Sequence, residues 1–103
     1  YDHCCLCSVS NKDFLIASHI KPWSESDENE RLEVDNGFLL CPNHDKAFDK
    51  GYITFDDDGI IMISKELDEK DRIFLNIRQD MHIELTSGNK KYLNYHRGNL
   101  FKT

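Results

Sequence analysis

Four residues have the types and the spacing of a metal site. Cys4 and Cys7 are separated by two residues, and the same spacing separates Cys41 from His44. Two intervening residues let a tight turn direct both side chains of a pair at one ion. Thiolates and imidazole are ligands that zinc prefers in a tetrahedral site. The sequence therefore predicts a structural zinc that ties the N-terminus to the segment near residue 41, closed by four ligands and without chemistry of its own.

The cysteines leave two other interpretations open. Four cysteines permit disulfides, which would suit an extracellular domain, although the sequence shows no sign of a secretory context. They can also be unrelated buried thiols. Only one residue separates Cys5 from Cys7, which is sterically poor for two ligands, so we interpret Cys5 as a small buried apolar residue. We prefer the zinc site and expect an intracellular, cytoplasmic protein.

A second group of residues has the chemistry of phosphodiester cleavage. His19 ends a predicted strand, Asn36 begins the next, and Asp45 and Asp49 lie on the predicted helix that follows. Imidazole can act as a general base near neutral pH, and carboxylates bind hard cations such as Mg²⁺. Phosphodiester cleavage needs such a base and a cation that offsets the developing charge. Asn36 can order the intervening loop through hydrogen bonds to its backbone.

Each of these residues also has an ordinary structural interpretation. His19 can be a buried histidine whose hydrogen bonds are satisfied, and Asn36 can be a turn residue before Gly37. Asp45 can be a charge near a helix N-terminus, where the helix dipole favours it. Asp49 can stabilise the loop after the helix.

Two predicted strands and a short helix position these residues. The apolar segment 13–20 predicts a strand, which Pro22 stops because proline has no N–H to donate to a sheet. We predict a polar loop over 24–36, a buried strand over 38–41 and a helix over 42–50 that begins at a proline. The large aromatic residues of this unit are expected in its core: Trp23, Phe38, Phe48 and Tyr52.

The second half of the chain adds a hairpin and helical segments. Segments 52–55 and 60–64 flank an Asp-Asp-Asp-Gly turn and predict a β-hairpin. Apolar residues over 67–77 are roughly helix-spaced, a short strand fits 82–85, and a final helix or turn over 92–101 is expected to pack on the core.

Composition limits the class of protein. The chain has 103 residues, of which 13 are Lys or Arg and 19 are Asp or Glu, for a net charge of −6. This composition excludes a collagen-like or disordered chain, and no apolar run is long enough to span a membrane. The length predicts one domain, and the initial Tyr1 leads us to expect a fragment of a longer protein.

The acidic balance argues at first against a nucleic-acid partner. The charge is segregated, however, because six acids lie within 24–36 and none follows Glu84. The last part of the chain instead carries four basic residues, Lys90, Lys91, Arg97 and Lys102.

Two segments carry a resemblance to a known family. Residues 17–23 read ASHIKPW, and residues 36–55 read NGFLLCPNHDKAFDKGYITF. Together they resemble the HNH endonuclease family, in particular its restriction-endonuclease-like branch, and the resemblance covers roughly residues 4–64. The tail 92–97, YLNYHR, is also similar to that branch.

The resemblance assigns roles to individual residues. His19 matches the first histidine, the general base, and Asn36 matches the middle asparagine, which orders the loop. Asp45 falls where the family's helix supplies a metal-binding His or Asn. Ser18 stands where many members have a further metal ligand, so water, the substrate phosphate or Asp49 would complete the shell. Metal affinity without DNA is then expected to be weak.

The resemblance also implies a fold and a function. The fold is α+β: a zinc-stapled ββα-metal core of the HNH or His-Me finger type, with an added β-hairpin and a C-terminal helical segment. Residues 1–103 would be a single nuclease domain, with a core at about 4–64 and a helical extension at about 65–103. The activity would be DNA cleavage dependent on Mg²⁺ or Mn²⁺, of restriction type in a prokaryote. The alternative is a non-catalytic zinc-stapled module that binds nucleic acid or protein.

The expected partners follow from that function. DNA is the substrate, and Lys21, Lys46 and Lys50 are weak candidates for phosphate contacts. No membrane partner is expected. Other domains of the parent chain would supply sequence specificity and most of the affinity for DNA, because a ββα unit contacts mainly the DNA backbone. A homodimer would suit cleavage of both strands.

Overall fold

The described part of the chain folds into two antiparallel β-ribbons and four α-helices. The computed structural model describes residues 2–103. Strands β1 and β2 form one ribbon and β3 and β4 the other. The elements in chain order are β1 Ile16–His19, α1 Glu28–Leu32, β2 Gly37–Leu40, α2 Pro42–Asp49, β3 Ile53–Phe55, β4 Ile61–Ile63, α3 Glu69–Phe74 and α4 Ser87–Asn99, with 3₁₀ turns at Trp23–Glu25 and Val34–Asn36.

The first ribbon and α2 form the predicted ββα unit. In the β1–β2 register, Ile16 lies opposite Leu40 and His19 opposite Gly37. Helix α2 begins at Pro42, whose missing N–H costs nothing in the first turn. These elements confirm the α+β, HNH-like fold class expected from the sequence, including the added hairpin and the C-terminal helix.

An aromatic cluster joins this unit to the rest of the chain. The rings of Phe38, Phe48 and Phe55 lie 5.8–6.0 Å apart, on β2, α2 and β3. The imidazole of His96 on α4 stacks on Phe48 with a centroid distance of 3.9 Å. All four side chains are buried, so the hairpin and α4 share one core with the ββα unit.

Gly51 is required where α2 turns back into β3. Its φ is +80°, and a Cβ built on it would lie 2.0 Å from the carbonyl oxygen of Leu100. The Gly51 carbonyl in turn accepts a hydrogen bond from the Lys102 N–H at 2.8 Å. The helix predicted over 42–50 therefore ends just before Gly51, and the close approach of the C-terminal segment leaves no room for a side chain there.

Several predicted elements are wrong in extent or type. The strand predicted over 13–20 begins only at Ile16, because residues 12–14 form a turn that leaves Phe14 exposed. The polar loop predicted over 24–36 contains helix α1. An Asp27–Glu30 capping box starts this helix, a pattern visible in the sequence.

The C-terminal half also differs in detail. The strand expected over 82–85 is a single bridge between Ile60 and His82. Helix α3 leaves Ile73 and Phe74 exposed. Helix α4 starts at Ser87, earlier than expected, because Thr86 and Asn89 form a capping box. None of the helices within residues 2–103 is long and apolar enough to cross a lipid bilayer.

The buried His96 is held in its neutral form. Its Nε2 donates to the Phe48 carbonyl and its Nδ1 accepts from the Thr54 hydroxyl, both at 2.8 Å. Because a carbonyl can only accept, this pairing needs no second ring proton. Burial lowers the pKa of His96 from 6.5 to about 4.

We predict that His96 makes the stability depend on pH. Between pH 6.5 and 4 the unfolded chain binds a proton on His96 that the folded protein does not, so the stabilisation is full above pH 6.5 and falls as the pH falls. The free energy of unfolding of the parent, relative to that of His96→Gln, should therefore fall by about 3 kcal/mol between pH 6.5 and 4. Urea unfolding of both proteins at several pH values measures it. A constant difference would contradict the prediction, and His82→Gln, at an exposed position, is the control.

Candidate functional site

The four residues predicted to bind zinc come together in the structure. The ligand atoms of Cys4, Cys7, Cys41 and His44 all lie within 4.8 Å of one another. Cys41 immediately precedes α2 and His44 lies in its first turn, so the helix start presents both. Three thiols and one imidazole at this separation fit a structural metal such as zinc.

Backbone contacts hold the N-terminal half of this cluster in place. The Cys5 N–H donates to the Leu39 carbonyl at 2.8 Å, which attaches the turn to β2. The Leu6 N–H points at the Cys4 sulfur at 3.5 Å. Although burial opposes a thiolate at Cys4, hydrogen bonds from His44 and from the backbone lower its pKa to about 6. An anionic Cys4 is the form that a metal needs.

The outer partners of His44 fix which ring nitrogen faces the cluster. Nε2 lies 3.0 Å from the Asn76 carbonyl and 3.1 Å from the Leu75 carbonyl. Carbonyls only accept, so Nε2 carries a hydrogen and points away from the cluster, and Nδ1, which lies 3.5 Å from the Cys4 sulfur, is the ring nitrogen that faces it. A carbonyl behind a histidine ligand is the usual way to orient it toward a metal.

The alternatives for the cysteines find no support. Within residues 2–103 no cysteine forms a disulfide. Cys5 lies outside the four-residue cluster and is partly buried against the hydrophobic core, as its interpretation as an apolar residue predicts.

His19 lies at the end of β1 and faces a shallow cavity of about 290 Å³. Its Nε2 lies 3.2 Å from the Arg31 carbonyl oxygen. Since that oxygen only accepts, Nε2 carries the hydrogen and Nδ1 keeps a lone pair. The ring also meets the edge of Trp23, with centroids 5.6 Å apart. His19 is half-buried, so it is not a fully packed histidine.

Asn36 is almost completely buried and spans the loop between the strands. Its Oδ1 accepts from the Lys21 N–H at 2.8 Å, just beyond the end of β1. Its Nδ2 donates to the Glu30 carbonyl at 3.1 Å, on α1. The neighbouring carbonyl, that of Arg31, is the one that holds His19. These contacts are those expected of a residue that orders the loop around His19.

The two acids of α2 have different surroundings. Asp45 is half-buried, and within the described residues its carboxylate has no hydrogen-bond or ion-pair partner. Asp49 is exposed and acts electrostatically on the buried His96. Neither acid lines the cavity beside His19. Between residues 2 and 103, the Cys₃His group is the only cluster of three or more such ligand atoms.

The three lysines proposed for DNA contacts are not equivalent. The Lys21 ammonium pairs with the Glu30 carboxylate at 3.1 Å and lies 4.9 Å from the centre of the Tyr95 ring. Lys46 and Lys50 line an open pocket between α2 and segment 66–75, and neither forms an ion pair within residues 2–103. These two remain the more accessible candidates.

Two residues that contact His19 were not predicted as site residues. Arg31 lines the cavity together with His19. Trp23, predicted in the core, is 56% exposed, because it lies in the 3₁₀ turn just past β1. The sequence signal for Arg31 was its position as the one base among the acids of segment 24–36.

Comparisons with known proteins bear on this arrangement. A family model described as "HNH endonuclease" matches residues 4–56, just over half of the chain. The chain belongs to the HNH endonuclease family. The match includes β1, β2, β3, α2 and all four residues of the Cys₃His group, and it confirms the resemblance drawn from the sequence.

A solved structure shares the fold. A chain described as "Modification dependent TagI restriction endonuclease" superposes with a TM-score of 0.57 at 20% identity. The match covers 96% of this HNH chain and 33% of that chain, so this chain spans about a third of its neighbour's length. At this identity the likeness shows the fold alone. No curated protein matches the chain.

Proposed function

We propose that this HNH domain is a divalent-metal-dependent DNA endonuclease of restriction type, with His19 as its general base. The observation that carries the proposal is the pose of His19 within a ββα unit of this family. Nε2 is held by the Arg31 carbonyl, and the ring faces an open cavity. That pose leaves Nδ1 able to take a proton from a water molecule that attacks the scissile phosphate.

Asn36 acts as the positioning residue for that base. It joins the segment after β1 to α1 through Lys21 and Glu30. Asn36 holds the Glu30 carbonyl, and the next carbonyl along the chain, that of Arg31, orients His19. In this proposal Asn36 touches no substrate and works by fixing where the imidazole points.

Asp45 is the proposed ligand of the catalytic cation, with Asp49 as the less certain second. A half-buried carboxylate without a partner suits Mg²⁺ or Mn²⁺, which prefer oxygen ligands and retain several waters. The bound cation would supply positive charge against the charge that develops on the phosphate and on the leaving 3′ oxygen. Water and substrate oxygens would complete the shell, since Ser18 is buried and has no carboxylate.

We predict that Asp45→Asn raises the Mg²⁺ concentration needed for half-maximal DNA nicking. The neutral amide is a weaker ligand, so the shift should at least match the roughly 10–100-fold losses seen on altering outer partners of metal sites. A Mg²⁺ titration of nicking rate measures it, with Asp58→Asn at the hairpin turn as the control. Asp49→Asn should shift the curve less. An unchanged curve for Asp45→Asn would remove Asp45 from the site.

The Cys₃His group is proposed to hold zinc as a structural metal. The mixture of thiols and imidazole and the carbonyls behind His44 support zinc over a hard cation. The zinc would join the N-terminal turn to α2, whose later residues include Asp45. It would stabilise the site without taking part in cleavage.

A second candidate function is a zinc-stapled binding module without catalysis. The buried Ser18, where many family members have a metal ligand, and the acid at position 45 favour it. Plasmid nicking with Mg²⁺ or Mn²⁺, with and without EDTA, separates the two functions. Because EDTA can also strip zinc, restored nicking on adding back Mg²⁺ alone is the control. Binding without metal-dependent nicking by the folded, zinc-loaded domain would establish the binding module instead.

The remaining parts of the proposal concern the whole protein. We infer that residues 1–103 form one nuclease domain, with a core at about 4–64 and an extension at about 65–103. The partners would be DNA, through Lys46 and Lys50 and less through Lys21, and other domains of a longer chain. A homodimer would allow both strands to be cut, and a cytoplasmic location would suit such an enzyme.

A further inference from the structure

Arg31 is an unpaired cation beside the proposed base. It lies in the last turn of α1 and lines the same cavity as His19. Within residues 2–103 no carboxylate lies within ion-pair distance of its guanidinium. This is unexpected, because the surrounding segment 24–36 carries six acids.

Four of the six acids in segment 24–36 have partners other than Arg31. Glu30 pairs with Lys21, and Glu33, which also lines the cavity, accepts from the Tyr92 hydroxyl and lies 3.9 Å from the Lys91 ammonium. The Asp27 carboxylate caps α1. Asp35 accepts from the Thr86 hydroxyl at 2.9 Å. The remaining two, Glu25 and Glu28, are exposed.

Trp23 fixes the direction of the guanidinium. The Arg31 Nε donates to the Trp23 carbonyl at 2.9 Å, and the guanidinium carbon lies 4.5 Å from the centre of the Trp23 ring. These two contacts use Nε and one face of the group. Nη1 and Nη2 donate to no other described residue. Such a braced, half-buried arginine suits a phosphate, because its planar donors match two phosphate oxygens.

The Arg31 backbone is already part of the proposed site. Its carbonyl oxygen accepts from His19 Nε2, so one residue contacts the base through its backbone and presents a cation through its side chain. A phosphodiester placed for attack by a water on Nδ1 of His19 would lie in the cavity that both residues line.

We propose that Arg31 is a phosphate-binding residue of the active site, contacting the DNA phosphodiester at or next to the scissile bond. This inference rests on the proposed nuclease function. Its guanidinium would offset the charge that builds up on the phosphate oxygens, and Trp23 would act as a positioning residue for it.

The test compares Arg31→Met, which can still pack on Trp23 but has no charge, with Arg31→Lys. Lys70→Met, which removes an exposed cation from α3, is the matched control. Arg31→Met should lower kcat/KM for plasmid nicking by roughly 10²–10³-fold, and Arg31→Lys should recover part of it. In a His19→Ala background, Arg31→Met should reduce the salt slope of DNA binding by about 1, which Arg31→Lys should restore.

The outcomes separate this inference from the proposed function. If His19→Ala abolishes nicking while Arg31→Met nicks within twofold of the parent, Arg31 does not bind the phosphate and the function stands. If the parent does not nick DNA, the proposed function is wrong, and the role of Arg31 that rests on it is overturned with it. Loss of the folded circular dichroism spectrum in both Arg31 variants would show a purely structural residue and overturn the inference.

Discussion

His19→Ala should slow metal-dependent DNA nicking by roughly 10²–10⁴-fold, the loss that removal of a well-placed general base commonly causes. The fold should be preserved, because the His19 ring is half-buried and its ring nitrogens make a single hydrogen bond, to the Arg31 carbonyl. One such bond contributes about 1 kcal/mol, so the melting temperature should fall by only a few degrees. Nicking rates and thermal melting of the same zinc-loaded sample measure both effects.

The control for this variant is His82→Ala, which removes an exposed imidazole outside the cavity. It should nick DNA at the parent rate. A His19→Ala protein that nicks as fast as the parent would refute the assignment of the base. A His19→Ala protein that unfolds would show that the residue is structural, which its surroundings do not suggest.

Cys41→Ser should abolish folding rather than chemistry. Zinc binding contributes roughly 10–16 kcal/mol in zinc-finger peptides, while whole small domains are stable by only about 5–15 kcal/mol. Loss of one ligand should therefore release the metal and leave the chain unfolded or close to it. Serine is a good residue before a helix, so the first turn of α2 is not itself weakened by the change.

Cys5→Ser is the matched control for the zinc assignment, because Cys5 lies in the same N-terminal turn but outside the cluster. It should keep one zinc per chain by native mass spectrometry and a melting curve near that of the parent. A parent-like melting curve for Cys41→Ser would be incompatible with a structural metal at this site.

The metal site could be predicted from the sequence because its information is local. Each pair of ligands is spaced within a single turn. Pro42 and Gly51 mark the ends of the helix that starts directly after Cys41 and carries His44. The sequence could not show that carbonyls of Leu75 and Asn76 orient His44, since they lie more than thirty residues away in the chain.

The surroundings of His19 were less predictable. Segment 24–36 has many acids and few apolar residues, which suggested a solvated loop. The structure instead places a short capped helix there, and its backbone holds His19 while Arg31 and Trp23 flank it. The exposure of Trp23 depends on where the chain goes after β1, which composition alone does not determine.

For the C-terminal half, the sequence predicted only that a final helix or turn packs on the core. His96 lies in the tail 92–97 that resembles the restriction-endonuclease-like branch. Its stacking on Phe48 and its hydrogen bond to Thr54 depend on contacts between distant segments, which the sequence does not show. Two acids of segment 24–36, Glu33 and Asp35, have their partners on α4 or at its N-cap, and neither forms an ion pair with Arg31.

The most direct test of the central claim is the chemistry of the DNA ends made by the folded, zinc-loaded domain in Mg²⁺. Attack of a water activated by His19, with the 3′ oxygen as leaving group, predicts nicks with a 3′-hydroxyl and a 5′-phosphate, which DNA ligase reseals. The nicks should require Mg²⁺ or Mn²⁺ and be lost in His19→Ala. No metal-dependent nicking, or nicks with a 3′-phosphate that ligase cannot reseal, would contradict the account.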